Sequence, residues 1–190
     1  MKRLGCIWLL LVAFIALWAQ EHSPKHEFRG VWVPTVYNNY YRELSVEQLK
    51  DTLVKQLDAY ANMGINTVIY QVRPEGDALY ASSLEPWSRF LTGEQGVAPE
   101  EDFDPMAFLI QECHKRCMEF HAWINPYRAN TNKKNKLSED NRYYSNRYLY
   151  VSYGNQLLFN PGFPQNREHI VSVVKDIVSR YDIDALHMDD

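Results

Sequence analysis

The sequence predicts an α/β protein that forms the N-terminal half of a (β/α)8 barrel, with parallel strands and long βα loops. Short β-branched runs alternate with amphipathic helical segments, which is the pattern of βαβ units. Long polar segments follow the second and third runs, and in a barrel both would lie at the C-terminal face. Such barrels need about 250 residues, so we expect the 190-residue chain to be truncated after strand four.

The first βαβ unit is defined by one capping motif and two β-prone runs. Strand one is predicted over residues 28–34, where a proline ends it. Ser45 and Gln48 form a capping box, and the helix that follows continues at helical spacing until Gly64. Residues 65–72 are rich in β-branched side chains and predict strand two.

The second unit begins with Asp104 as the N-cap and Pro105 as the first residue of a helix. Cys113 and Cys117 are four residues apart on this predicted helix, so we expect them to share one face as buried thiols. Residues 120–125 predict strand three.

The third unit contains an insertion between residues 126 and 164. Within it, residues 148–151 and 156–159 flank a turn and predict a small hairpin. An amphipathic helix over residues 165–181 then leads into strand four, which starts at Ile183.

The main alternative fold is a doubly wound sheet. That fold carries a glycine-rich phosphate-binding turn after its first strand. Residues 33–36 read Val-Pro-Thr-Val and contain no glycine, so the barrel is favoured.

Composition and the N-terminus limit the class of protein. With 46% hydrophobic residues the chain can form a core, and its net charge of −4 argues against nucleic acid as a partner. Residues 1–19 have the basic start, apolar middle and small final residue of a secretory signal peptide. We therefore expect a mature domain over residues 20–190 that is exported to the periplasm, cell envelope or extracellular space. The apolar stretch is shorter than the ~20 residues of a membrane span, so no stable span is expected after cleavage.

Polar side chains follow the ends of the predicted strands. Side chains alternate along a strand, so His121, Trp123 and Asn125 share one face of strand three, and His187 and Asp189 share one face of strand four. Parallel strands end at the same edge of a sheet, and we expect a set of polar residues to converge there: Arg29, Gln71, Arg73, His121, Asn125, His187, Asp189 and Asp190.

Six segments of the sequence carry a family resemblance. They are FRGVW (28–32), YQVRPEGDALY (70–80), PWS with LTG (86–93), HAWINPYR (121–128), NPG (160–162) and HMDD (187–190). In this order they resemble the bacterial glycosyl hydrolase-like family ten. The resemblance implies a (β/α)8 barrel in an exported bacterial protein that hydrolyses glycosidic bonds, with cell-wall glycan among its substrates and no cofactor.

The resemblance and glycosidase chemistry together suggest roles for these residues. Glycoside hydrolysis uses two carboxyl groups; Asp189 and Asp190 are the catalytic candidates, with Asp189 facing the barrel axis and Asp190 at the rim. The second carboxylate is Glu75, Asp77 or a residue in the rest of the barrel. The candidates for contact with a polysaccharide or oligosaccharide are Arg29, Trp32, Gln71, Arg73, Asp77, Trp87, His121, Trp123, Asn125, Arg128, Asn160 and His187.

Several alternatives remain open at this point. Arg29 and Arg73 are expected either to form ion pairs with the terminal acids or only to stabilise the barrel interior. The chain is either a glycosidase or a carbohydrate-binding protein without catalysis. A third hypothesis places a divalent metal on His121, His187 and Asp189.

Overall fold

The computed structural model describes residues 27–190, so the predicted signal peptide lies outside the described part. The described residues form seven strands: β1 (Gly30–Val33), β2 (Thr67–Arg73), β3 (Glu119–Ile124), β4 (Arg128–Asn130), β5 (Tyr150–Tyr153), β6 (Gln156–Phe159) and β7 (Ala185–Met188). Their α-helices are α1 (Val46–Asn62), α2 (Arg89–Thr92), α3 (Pro105–Lys115), α4 (Arg142–Ser145) and α5 (Pro164–Arg180).

The main sheet has four parallel strands in the order β1-β2-β3-β7. Each crossover through α1, α3 or α5 adds the next strand on the same side, which is how a barrel grows. A doubly wound sheet would reverse its strand order after the first unit. The predicted α/β fold with four parallel barrel strands is therefore confirmed, and the doubly wound alternative is excluded.

The two faces of the main sheet differ. The outer face packs against the long helices, and its buried side chains include Val68, Val72 and Phe120 together with Leu53 of α1 and Ile177 of α5. Burying each such side chain contributes roughly 1.5–3 kcal/mol. The opposite face, called here the axial face, carries aromatic and polar side chains. The helices thus fix the strands, and in a closed barrel the axial face turns towards the barrel axis.

Local signals place the helix starts correctly. Ser45 and Gln48 form the capping box at the start of α1. Asp104 accepts a hydrogen bond from the backbone N–H of Ala107 at 3.0 Å, and Pro105 is the first residue of α3. These contacts satisfy backbone donors that a helix start leaves unpaired.

The prediction for Cys117 was wrong. Helix α3 ends at Lys115, and Cys117 has a left-handed backbone with φ of 55°. The turn rotates Cys117 away from the buried Cys113 and leaves it exposed. Burial raises the pKa of the Cys113 thiol to about 12.

The insertion between β3 and α5 contains more regular secondary structure than the predicted hairpin. The predicted hairpin is present as β5 and β6, but β4 also pairs with β6, which gives an antiparallel sheet in the order β4-β6-β5. Phe159 and Leu157 are buried in its own small core. Across residues 27–190, no helix has the length and apolar character of a membrane span.

Candidate functional site

A chain of amide hydrogen bonds joins the C-terminal ends of β1, β2 and β3. Gln71 Oε1 accepts from the backbone N–H groups of Thr35 and Val36 at 2.8 and 2.9 Å. Gln71 Nε2 donates to Asn125 Oδ1 at 2.6 Å, and both side chains are fully buried. We call this edge of the main sheet the rim. Gln71 and Asn125 meet there as predicted, and these contacts hold its strands together.

The amide of Asn125 continues the chain to the acids after β7. Its Nδ2 donates to Asp190 Oδ1 and, at 3.2 Å, to the backbone carbonyl of Asp189. Arg128 donates to the other oxygen, Asp190 Oδ2, and to the carbonyl of Pro74 at 3.4 Å. The result is a carboxylate that is oriented by one donor on each oxygen.

Asp189 lies beside this carboxylate at the rim. Its backbone N–H donates to the carbonyl of Ile124 at 3.1 Å, which extends the pairing of β3 with β7 by one residue. Its Oδ1 accepts from the backbone N–H of Asp190 at 3.0 Å, and the residue is exposed. Both acids follow Met188, the last residue of β7, and the Asp190 carboxylate is the one that reaches the Asn125 side chain.

Four aromatic rings form a cluster on the axial face. Trp32, 49% exposed, meets Trp123 and His187 edge to face, with ring centroids 4.9 and 5.2 Å apart. His121 stacks on His187, and their Nδ1 and Nε2 atoms are 2.9 Å apart. Partial burial, followed by the neighbouring His121, lowers the pKa of His187. Residues 27–190 contain no group of three metal-ligating side chains, so the two imidazoles lack the third ligand that the metal hypothesis requires.

Arg73 reaches the rim but does not pair with the terminal acids. Its fully buried guanidinium donates to Glu85 Oε1 through Nε at 2.9 Å, and His169 Nε2 lies 2.9 Å from the same oxygen. Burial by itself raises the pKa of Glu85, but the charge of Arg73 and the His169 hydrogen bond outweigh it and lower the pKa. The alternative that Arg73 stabilises the interior is therefore the correct one.

The prediction that Arg29 lies at the rim was wrong. Arg29 precedes β1, so in a parallel sheet it lies at the N-terminal edge, one strand length away from Asp190. There its backbone N–H donates to Asn66 Oδ1 at 2.8 Å, and its side chain forms an exposed ion pair with Glu27. Arg128 occupies the position beside the acids that was expected for Arg29 or Arg73.

Glu75 and Asp77 are fully buried after β2. Glu75 Oε1 accepts from Arg89 at 2.8 Å and from the backbone N–H of Thr131. Asp77 Oδ2 accepts from Gln95 at 3.3 Å, whereas Asp77 Oδ1 and Glu75 Oε2 have no partner among the described residues. Burial, reinforced by the neighbouring Glu75, raises the pKa of Asp77 to about 7. Neither of these carboxylates is accessible to a substrate in this structure.

Two further candidates lie away from Asp190. Trp87 packs partly against the main core and lines a separate surface pocket with Asp176 and Arg180. Asn160 accepts from the backbone N–H of Gly162 at 2.9 Å in the turn before α5. Both Trp87 and Asn160 therefore make local structural contacts in this structure.

Sequence reasoning missed two features of this end of the molecule. The first is the buried contact of Glu85 with Arg73 and His169, for which no spacing rule gives a signal. The second is a cleft beside the rim that includes Tyr37 and Arg42. Its walls come from three separate segments of the chain, so only the folded structure brings them together.

Comparison with known proteins shows which sequences this chain resembles. A family model described as Glycosyl hydrolase-like 10 matches residues 27–190. The chain is 47% identical over 169 residues to glycosyl hydrolase YngK of Bacillus subtilis (strain 168), which covers 86% of this chain and 33% of YngK. It is 34% identical over 192 residues to glycosyl hydrolase DigH of Escherichia coli (strain K12), and this alignment covers 90% of this chain and 43% of DigH. The chain therefore spans less than half the length of either relative.

A solved structure supports the fold. The maltogenic α-amylase AmyB of Thermotoga neapolitana superposes with a TM-score of 0.54 at 14% identity, over 85% of this chain and 38% of that protein. At this identity the similarity shows the barrel fold alone.

Proposed function

Because the chain belongs to the glycosyl hydrolase-like 10 family, we propose that the protein hydrolyses glycosidic bonds with the acids that follow β7. The observation that carries this proposal is the setting of Asp190. Glycosidases place an oriented carboxylate next to the bond that they break. Asp190 lies at the C-terminal rim of the parallel sheet, and Asn125 and Arg128 each donate to one of its carboxylate oxygens.

In this proposal Asp190 acts as nucleophile or as the base that activates water. Asn125 and Arg128 are positioning residues, because they bind both carboxylate oxygens and fix the direction in which the group points. Asp189, the neighbouring acid, contacts the substrate beside Asp190 in this proposal. Asp190 adds to the anomeric carbon or removes a proton from the attacking water, and a second carboxyl group, to which we assign no residue between 27 and 190, protonates the leaving oxygen. The scheme requires no metal or cofactor.

The proposed substrate is an extracytoplasmic polysaccharide, with peptidoglycan glycan strands as the first choice. The predicted export signal supports this choice, because it would bring the protein to the cell wall. The axial cluster supports it as well, because the half-exposed Trp32 provides an aromatic surface on the axial face of the sheet. Aromatic side chains of this kind pack well against apolar faces of ligands.

The test is release of reducing ends from purified glycan strands that have been stripped of their peptides. The wild-type protein should release them, and Asp190→Asn should lower kcat at least about 100-fold. Asp182→Asn is the matched control, because Asp182 is an exposed acid before the other end of the same strand. Unchanged kcat in Asp190→Asn, or no release by the wild type, would contradict the proposal.

One observation favours a second candidate function, carbohydrate binding without hydrolysis. Glu75 and Asp77, the other acids considered for catalysis, are both fully buried. Under this alternative the protein retains glycan strands, releases no reducing ends, and keeps that retention when Asp189 and Asp190 are replaced by asparagine.

A further inference from the structure

A cleft of about 710 Å³ lies next to the rim and apart from Asp190. Its walls are the segment after β1, the segment around α2, and the loops of the insertion. This volume is in the range of pockets that hold small ligands, which is roughly 300–1,000 Å³. None of its lining residues contacts the terminal acids through a hydrogen bond, so the cleft is a separate place for a ligand.

Tyr37 has an unusual position in this cleft. The backbone N–H of Asn38 donates to the carbonyl of Thr35 at 3.0 Å, and Tyr37 has a φ of 61° within that turn. Left-handed backbone suits glycine or asparagine and is strained for a residue such as tyrosine, whose Cβ crowds the following carbonyl oxygen. The side chain is 67% exposed and meets only the edge of Phe90, with centroids 6.3 Å apart. Core burial therefore does not explain why a tyrosine occupies this turn.

The other groups in the cleft are suited to sugar hydroxyls. Asn39, Asn155 and Arg42 are exposed, and their side chains form no hydrogen bond or ion pair with any residue between 27 and 190. Amide and guanidinium groups together offer both donors and an acceptor. An exposed aromatic ring beside such groups combines one apolar surface with several polar contacts. A pyranose ring is complementary to this arrangement, because it has an apolar face and several hydroxyl groups.

We propose that this cleft is a saccharide subsite, in which Tyr37 stacks on a sugar ring while Asn39, Arg42 and Asn155 bind its hydroxyl groups. The inference rests on the proposed function, because the ligand is a unit of the same polysaccharide at a distance from the bond that Asp190 attacks. Binding there holds the chain of the substrate across the rim. The strain at Tyr37 is then the cost of presenting its ring to the ligand.

The test separates binding from folding. Tyr37→Gly should not lower the free energy of unfolding, because glycine relieves the left-handed strain. The same variant should raise KM for purified peptidoglycan glycan strands about tenfold and leave kcat within twofold. Tyr37→Phe keeps the ring and should retain most of the affinity. Tyr40→Ala is the matched control, since Tyr40 is an exposed tyrosine of the same loop that does not line the cleft.

The outcomes distinguish this inference from the proposed function. Hydrolysis with the same KM in wild type, Tyr37→Gly and Asn155→Ala would overturn the subsite and leave the hydrolase proposal intact. If no reducing ends are released, sedimentation of the protein with glycan strands replaces KM as the readout. Retention that falls in Tyr37→Gly but not in Tyr40→Ala supports the subsite even though hydrolysis has failed. Equal retention in all variants, or none in the wild type, overturns it.

Discussion

The rim at β7 and the segment after β2 both carry acidic residues beyond a parallel strand, but they place them differently. Asp190 is exposed and is bound by the neutral amide of Asn125 and the charged guanidinium of Arg128. Glu75, Asp77 and Glu85 are buried under the loop that follows β2. Glu75 and Asp77 have a sequence context similar to that of the terminal acids, because each lies within four residues of a strand end, whereas Glu85 lies further along the same loop.

The difference shows that position at a strand end does not by itself make an acid available for chemistry. The long segment after β2 folds back over its own acids and uses Arg73 and Arg89 to compensate their charge. Burial and these ion pairs therefore give Glu75 and Glu85 a structural role in that segment.

The largest expected effect comes from removing the buried cation. Arg73→Met leaves Glu85 buried with only His169 as a partner, and the free energy of unfolding should fall by about 3–5 kcal/mol. Arg128→Met is the matched control at the rim, where the acid is exposed, and should cost about 1 kcal/mol or less. Urea denaturation of both variants measures the difference.

A second variant sharpens the same result. If the loss in Arg73→Met arises from an uncompensated charge, replacing Glu85 by leucine in that background should recover most of it. Equal losses in Arg73→Met and Arg128→Met would show that the two regions do not differ energetically.

The next effect concerns the pH dependence of stability. The pKa of Asp77 in the folded protein is about 7, against an ordinary value of 3.8. At pH values between 3.8 and about 7, Asp77 is protonated in the folded protein and ionised in the unfolded chain. The free energy of unfolding is therefore highest at the acidic end of this range and falls as the pH rises towards 7. The loss is at most about 1.4 kcal/mol for each pH unit. Asp77→Asn imitates the protonated form, and its free energy of unfolding should vary less between pH 4 and 7.

The control for this effect is Asp189→Asn, which removes an exposed acid from the rim. Its stability should follow the pH dependence of the wild type. Parallel curves for wild type and Asp77→Asn, measured by denaturation at several pH values, would show that the folded state does not bind the extra proton at Asp77.

Much of the fold was predictable, because its signals are local. The capping box at Ser45, the N-cap at Asp104 and the β-branched run of β2 each specify one element within a few residues. The alternation of these elements then indicates a parallel sheet. The prediction for Cys117 was wrong because the left-handed turn after α3 contains no glycine, which is the usual sequence signal for such a turn.

The candidate site was predictable only in part. The meeting of Gln71, Asn125 and Asp190 follows from strand direction, because parallel strands end at one edge. The pairing of Arg73 with Glu85 depends on how a long segment folds back, and no periodicity records that path. The same holds for the cleft at Tyr37, whose walls are distant in sequence.

The smallest expected effect tests whether Asn160 belongs with the buried loop contacts or with the exposed rim. Its side-chain oxygen accepts from the backbone N–H of Gly162, and its backbone carbonyl accepts from Asn166 in α5. Asn160→Ala removes the first contact and should lower the free energy of unfolding by about 1 kcal/mol. Asn160→Asp keeps an acceptor oxygen at the same position and should retain the wild-type value. If Asn160→Ala has the same free energy of unfolding as the wild type, the turn forms without this side chain. Asn160 would then remain a candidate for substrate contact.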